Sequence, residues 1–186
     1  MADINRRVTG KMILDSGKLA ETYFERAVIF MVRHDGEGAL GLILNRPTKH
    51  ALGDVMKDSA EALVARAPLH LGGPVQPQML SFLVESRGDS ELHVLPWVAW
   101  ARNLEEVARL ASQSVSTPRI LAFAGYAGWG GGQLEGEFSE NCWVTAHARE
   151  AEVFEETTGD LWRDMIFRRG GIWRLVADIP RGIERN

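Results

Sequence analysis

Apolar residues in this chain fall in short runs separated by turn-forming residues, a cadence of strands more than of long helices. Gly10 to Leu14 reads as a short strand. Arg26 to Arg33 is rich in β-branched and aromatic residues, and Ala39 to Leu44 is a second apolar run. Between them stands His34-Asp35-Gly36-Glu37-Gly38, whose Asp-Gly step predicts a hairpin with His34 at its tip. Asn45-Arg46-Pro47 ends the second run, because proline lacks the N–H that a ladder needs. Residues 51–66 change to helical spacing at Leu52, Val55, Met56, Leu63 and Val64, with a break expected near Asp58-Ser59.

Leu69-His70-Leu71 leads into a tight turn at Gly72-Gly73-Pro74-Val75. Met79 to Glu85 and Glu91 to Leu95 predict a strand pair around Arg87-Gly88-Asp89. Leu104 to Gln113 predicts a helix, with Asn103 as its N-cap and Glu106 placed to answer it. Arg119 to Gly125 reads as a buried strand running into a glycine-rich segment. Cys142 to Ala146 and Glu152 to Phe154 read as further short strands, and Asp160 to Arg168 as a helix stopped by Gly170-Gly171. Hairpin-linked strands with helices between the groups predict an α+β fold with a mixed, strongly curved sheet. No repeat or low-complexity linker interrupts residues 1–186, so the chain reads as one domain.

Composition adds limits. With 186 residues, 45% hydrophobic and 25% charged, the chain can bury a core without disulfide or metal staples. The net charge of −4 and pI near 5.8 disfavour a protein held mainly to nucleic acid, whose affinity comes from neutralised phosphates. Residues 133–160 hold eight carboxylates and one cation, Arg149, and read as a solvated acidic face. Arg163, Arg168, Arg169 and Arg174 follow, able to answer that block within the fold or to meet phosphate. The opening residues lack a signal peptide's apolar run, and no stretch approaches 18 uninterrupted apolar residues. A cytoplasmic location is therefore expected, with no membrane partner. Cys142 is the sole cysteine, which excludes an internal disulfide and a cysteine metal cluster.

The candidate chemistry is sparse. Residues 125–136 contain six of the 19 glycines and follow a buried strand. Such a loop can cradle an anion on its backbone N–H groups, or can simply turn tightly past Tyr126 and Trp129. Known phosphate motifs do not fit. A P-loop from Gly125 finds Gly131 and Gly132 where Lys and Ser/Thr are needed, and a dinucleotide fingerprint from Gly128 finds Gln133 in place of its last glycine. His34 beside Asp35 is open to acid–base, metal or purely structural roles. The other histidines, His50, His70, His93 and His147, show no metal-ligand spacing. Cys142, next to Trp143, reads as a small buried hydrophobe. Six tryptophans, all from Trp97 onward, read mainly as packing residues.

Three blocks taken together carry a resemblance. They are His34 with Gly38-Ala39-Leu40-Gly41 and Leu44-Asn45-Arg46-Pro47; Gly72-Gly73-Pro74-Val75; and Gly125-Tyr126-Ala127-Gly128-Trp129 with Gly132-Gln133-Leu134-Glu135, Asn141 and Trp143. In order and spacing they resemble the bacterial YqgE/AlgH family over about residues 10–167. That resemblance implies a single α+β domain whose bent sheet approaches a pseudo-barrel, flanked by helices. Members carry a transcriptional-regulator label, one being tied genetically to alginate production, and no settled enzymatic activity defines the family. The residues agree: there is no helix-turn-helix signature, no basic footprint and no assembled catalytic set.

The expectation is a non-enzymatic binding or regulatory protein without cofactor or metal, acting through a protein partner or a small anionic ligand, with specific DNA binding absent or weak. The binding residues expected are His34, Asn45, Arg46, Gly125, Tyr126, Gly128, Trp129, Gln133 and Glu135, with the 45–47 turn and the 125–135 segment forming one surface. The alternative is an enzyme or nucleotide-binding protein using that segment with His34 and Asn45.

Overall fold

The computed structural model describes residues 7–56, 62–154 and 160–180. The chain opens with an antiparallel meander of β1 (Lys11–Asp15), β2 (Val28–Asp35) and β3 (Gly38–Ile43). Asp35 pairs with Gly38, leaving Gly36-Glu37 as the two-residue turn that the Asp-Gly step predicts. After β4 (Pro47–Ala51) come the short helices α1 (Leu52–Val55) and α2 (Ala62–Ala65), and the break expected between them lies outside the described residues. Then follow β5 (Pro68–Leu71), β6 (Val75–Glu85), β7 (His93–Leu95), β8 (Val98–Ala101) and α3 (Leu104–Ser112). The long β9 (Ile120–Gly130), α4 (Gln133–Ser139), β10 (Trp143–His147), α5 (Glu150–Phe154), α6 (Leu161–Arg168) and α7 (Trp173–Asp178) complete the described chain.

The strands join in one ten-stranded sheet ordered β10-β1-β2-β3-β9-β6-β8-β7, with β4 and β5 on a branch beside β9. Only β5 with β9 is parallel among the described pairs, so the sheet is mixed as expected. It curls into a half-barrel within a single α+β domain, and β9 is the hinge of the curl. The first half of β9 pairs with β5 and β6, and its second half with β3. Gly125 sits between the halves with φ +70°, the left-handed conformation glycine supplies at a bulge. Side-chain alternation slips there. Leu121, Phe123 and then Tyr126 face a first core cluster around Phe30 and Trp162, while Ala122 faces a second and Ala127 and Trp129 a third.

Helices close each cluster. Trp162, Met165 and Ile166 of α6 cover the first, Val107 and Leu110 of α3 the second, and Leu134 of α4 the third. Each such buried side chain contributes roughly 1.5–3 kcal/mol by leaving water. The caps are specific: the Asn103 side chain accepts the Glu106 N–H at 2.9 Å, and the Asp160 side chain accepts the Arg163 N–H at 3.2 Å. Glu106 answers one residue earlier than expected, accepting the Arg102 N–H at 2.7 Å.

Four expectations are corrected. Met79–Glu85 does not pair with Glu91–Leu95; β8, around Trp100, stands between them and leaves β7 at the sheet edge. Glu152–Phe154 is the end of α5, where Val153 and Phe154 reach the first cluster from one helical turn. Pro47 ends β3 but also begins β4, the strand position proline tolerates. Cys142 precedes β10 and is half-buried, not buried within it.

Candidate functional site

The three motif blocks meet at one crossing of backbones. The Leu71 N–H donates to the Arg46 carbonyl (2.9 Å), the Gly72 N–H to Ala124 (2.8 Å), and the Ile43 N–H to Gly72 (3.0 Å). A Cβ on Gly73 would lie 2.1 Å from the Tyr126 carbonyl carbon, so only glycine lets the two chains pass. The segment 125–136, read as a glycine loop able to cradle an anion or simply to turn tightly, is the end of β9 up to Gly130, a turn at Gly131-Gly132 and the start of α4. Its strand part pairs with Leu40 and Gly41 of β3 and Val75 of β6 and is committed to the sheet. Residues 126–130 therefore form no open N–H cradle, because both neighbours are close enough to complete the ladder.

The side chains of the Asn45-Arg46 turn also face inward. Asn45 Oδ1 accepts the Val28 N–H at 2.9 Å and Nδ2 donates to the Arg26 carbonyl at 2.8 Å. Arg46 donates to the carbonyls of Tyr23 (2.9 Å) and Glu25 (3.1 Å), with its guanidinium over the Tyr23 ring. These contacts hold the long β1–β2 connection, which Asp15 holds from the other end. The Asp15 carboxylate, 1% exposed, accepts the N–H groups of Gly17, Leu19 and Arg26.

That connection carries the aromatic centre of the site. Phe24 stacks on Trp129 at 6.1 Å and meets Trp143 edge-on at 5.8 Å. Both indoles donate to one carboxylate oxygen, Glu137 Oε2, at 2.9 Å from Trp129 and 2.6 Å from Trp143. Gln133 donates to Glu137 Oε1 at 3.0 Å and accepts the Gly130 N–H at 3.2 Å. In the sequence Glu137 stands out only with Glu135 and Glu140, as a carboxylate that could be offered to a metal but without a recognised ligand spacing. Its i,i+4 spacing from Gln133 places both on one side of a helix, where it holds two indoles and an amide.

His34 is not at an open hairpin tip; it is 6% exposed within β2. Its Nδ1 accepts the Val8 N–H at 3.2 Å, which leaves Nε2–H to donate to Glu135 Oε1 at 2.9 Å. His34 pairs across β2 and β3 with Ala39 of the third cluster, so it shares the face of Trp129 and Leu134. Arg46, Trp129, Gln133 and Glu135 thus lie with His34 around that face, with Tyr23 and Phe24 bridging from Arg46. Tyr126 packs against the first cluster on the opposite face, and a Cβ on Gly128 would touch its ring at 3.0 Å. Asn45 and Gly125 lie in the backbone crossing that positions both faces.

Burial, together with the carboxylates of Glu140 and Glu137, pushes the nearby Cys142 thiol above its ordinary pKa, which suppresses the thiolate. Among the described residues no group of three His, Cys, Asp or Glu is placed to hold a metal ion. The rim is mixed: Gln133 at the start of α4 and Glu140 at its C-cap are exposed, the Lys18 ammonium donates to the Glu140 carbonyl at 2.7 Å, and Tyr23, against Phe24 and Arg46, is 41% exposed. The C-terminal arginines are answered inside the fold. Arg168 pairs with Glu152 (2.5 Å), Arg163 with Asp178 (2.6 Å), Arg169 donates to the Thr145 carbonyl, and Arg174 lies over Phe167. Glu155 and Glu156 of the acidic block lie outside the described residues. No helix among the described residues is long and apolar enough to cross a membrane.

Residues 12–174 match the profile of the AlgH-like family. A UPF0301 protein of Chlorobium luteolum is 37% identical over 182 residues, covering 96% of this chain and 94% of its own. One from Streptomyces coelicolor is 34% identical over 181 residues, covering 93% and 92%. The solution structure of the AlgH protein from Pseudomonas aeruginosa superposes with a TM-score of 0.70 at 25% identity, over 98% of this chain and 99% of that one. A crystal structure of a Corynebacterium diphtheriae protein, 21% identical, reaches a TM-score of 0.73 over 94% of each chain and shares the fold.

Proposed function

The chain belongs to the AlgH-like family, and from that premise we propose that it is a non-enzymatic, cytoplasmic binding protein of regulatory type, which presents the face around Tyr23, Trp129, Gln133 and Glu135 to a protein partner. One observation carries the reading. The side chains there that have chemistry are engaged with one another: His34 through both ring nitrogens, Glu137 with two indoles and an amide, Gln133 at both ends of its amide. An acid–base catalyst needs a group in reach of substrate and able to exchange a proton. A rigid docking face needs its side chains locked, which reduces the ordering cost of binding.

The net charge of −4 favours a protein partner over a nucleic-acid backbone, whose phosphates would need neutralising cations. A photo-crosslinking residue at Gln133, compared in cells with one at fully exposed Val115, tests this. A discrete protein adduct from position 133 alone is expected, weakened by Glu140→Lys. Equal labelling from both positions sinks the proposal. So does a nucleotide that raises the melting temperature of the wild type and fails to do so in His34→Gln, which would favour the nucleotide-binding alternative.

A further inference from the structure

A cavity of about 300 Å³ opens between the β1–β2 connection and α7. Its walls are apolar where Ala20 meets Val176, Ile179 and Pro180, and charged where Glu21, Glu25 and Arg26 reach it. That size is at the lower limit of small-molecule pockets. Arg26 is the unusual member. Its side chain is only 13% exposed, yet of its guanidinium Nη2 alone makes a hydrogen bond, to the Ile179 carbonyl. The nearest carboxylate, Asp160, stands 4.0 Å from Nη1, too far for a hydrogen bond, and the group lies over the Trp162 ring at 4.9 Å. Nε and Nη1 therefore keep donors without an acceptor among the described residues, on a group that lines the cavity. A guanidinium this far from water ordinarily has its donors met.

The backbone holds that side chain in place. Arg26 has φ +54°, a left-handed conformation that is costly for any residue with a Cβ. It is pinned there from both sides, its N–H by Asp15 Oδ2 and its carbonyl by Asn45 Nδ2, each at 2.8 Å. Glu21, at φ +64°, is the other such residue of the connection, and Glu25 Oε2 accepts its N–H at 3.2 Å. Glu25 Oε1 accepts no hydrogen bond among the described residues.

We propose that this cavity binds a small aliphatic α-amino acid. The ligand carboxylate takes the open donors of Arg26, its ammonium meets the Glu25 carboxylate, and its side chain lies against Val176 and Ile179. Exposed Glu21 adds negative potential at the rim. The two glutamates oppose a dianion such as phosphate, and Arg26 opposes a bare amine, so a zwitterion answers both charges. None of Tyr23, Trp129, Gln133 and Glu135 lines the cavity, so this site and the partner-docking face stand or fall separately.

The Arg26 Nε–H signal in a ¹H–¹⁵N spectrum reads the site directly, assigned by its loss in Arg26→Lys. L-Leucine should move it saturably. 4-Methylpentanoate, which lacks the ammonium, and isopentylamine, which lacks the carboxylate, should each bind about tenfold more weakly or worse. Glu25→Gln should weaken leucine about tenfold and leave 4-methylpentanoate unchanged, a split that general damage to the fold would not produce. Ala20→Phe, at an exposed position of the wall, should block leucine while the backbone spectrum stays dispersed. The proposal is overturned by an Arg26 signal unmoved at tens of millimolar leucine, by 4-methylpentanoate or phosphate binding as well as leucine, or by unchanged leucine affinity in Glu25→Gln or Ala20→Phe.

Discussion

The motif crossing and the β7–β8 edge of the sheet are two regions that treat their hydrogen-bonding groups oppositely. At the crossing and the face it supports, two indole N–H groups and a glutamine amide converge on Glu137. At the β7–β8 edge the Trp100 indole and the His93 imidazole, on half-buried residues, each keep a buried ring nitrogen that meets no partner among the described residues. A buried unmet donor costs about 1–3 kcal/mol, so the two regions should respond oppositely when a donor is deleted. The residues that make the sequence distinctive therefore build the frame, and unremarkable positions on β7 and β8 leave donors open.

The largest expected effect is at the crossing. Gly73→Ala puts a methyl 2.1 Å from the Tyr126 backbone at φ +157°, where neither chain can give way. A loss of about 4 kcal/mol or more is expected, at the upper end of single substitutions, visible as insoluble expression or a collapsed urea midpoint. Gly130→Ala, in open space four residues beyond Tyr126 on β9, should stay within about 1 kcal/mol. Next comes Glu137→Ala. Leaving the Trp129 and Trp143 indoles without their acceptor should cost about 2–4 kcal/mol in chemical unfolding, and Glu137→Gln, which keeps one acceptor oxygen, about half of that. Retention of wild-type stability in Glu137→Ala would erase the contrast between the two regions.

Acid titration should give a smaller change. Hydrogen bonds from Arg119 hold the Glu85 carboxyl at about 2, below its ordinary 4.5. Being depressed in the folded state, it contributes stability that is complete above about pH 4.5 and lost as pH falls toward 2. With solvent screening this amounts to on the order of 1–2 kcal/mol, and Arg119→Gln should flatten that limb of the profile. His70 acts in the same direction at higher pH. Burial lowers its pKa from 6.5, so stability is full above that value and declines below it, a decline that His70→Phe should remove.

The smallest effect is the sharpest test. Trp100→Phe deletes an unmet donor while keeping a ring, so stability should stay within about 1 kcal/mol of wild type or rise. The matched Trp129→Phe, which deletes a met donor and leaves Glu137 short of one, should cost about 1–3 kcal/mol. Similar losses at both positions would mean that the Trp100 N–H is satisfied in solution.

Much of the frame was legible in the residues. Short continuous apolar runs and the Asp-Gly step located β1 to β3 to within two residues, and Asn103 and Asp160 marked their helices through side chains that cap only as neighbours in sequence. The site was legible in part. His34, Trp129, Gln133 and Glu135 do gather on one face, but Tyr126 and Gly128 point to the other, because the bulge at Gly125 reverses the alternation and no local pattern announces a bulge. The partners of β6 and the short α7 escaped for a related reason: which strand lies beside Met79–Glu85 depends on chain closure over many residues, not on spacing within a window.

Local chemistry thus determined by sequence alone what adjacent residues can do to one another: turn at Asp-Gly and cap at Asn103. The tertiary structure alone decided what distant residues do. It made a strand of the expected glycine loop by laying β3 and β6 along it, and it gave Glu137 two indoles from different strands. It also left His93 and Trp100 with donors facing no acceptor. The physical reason is range: a hydrogen bond forms only within about 3 Å, and residues far apart in sequence reach that distance only after the sheet has curled.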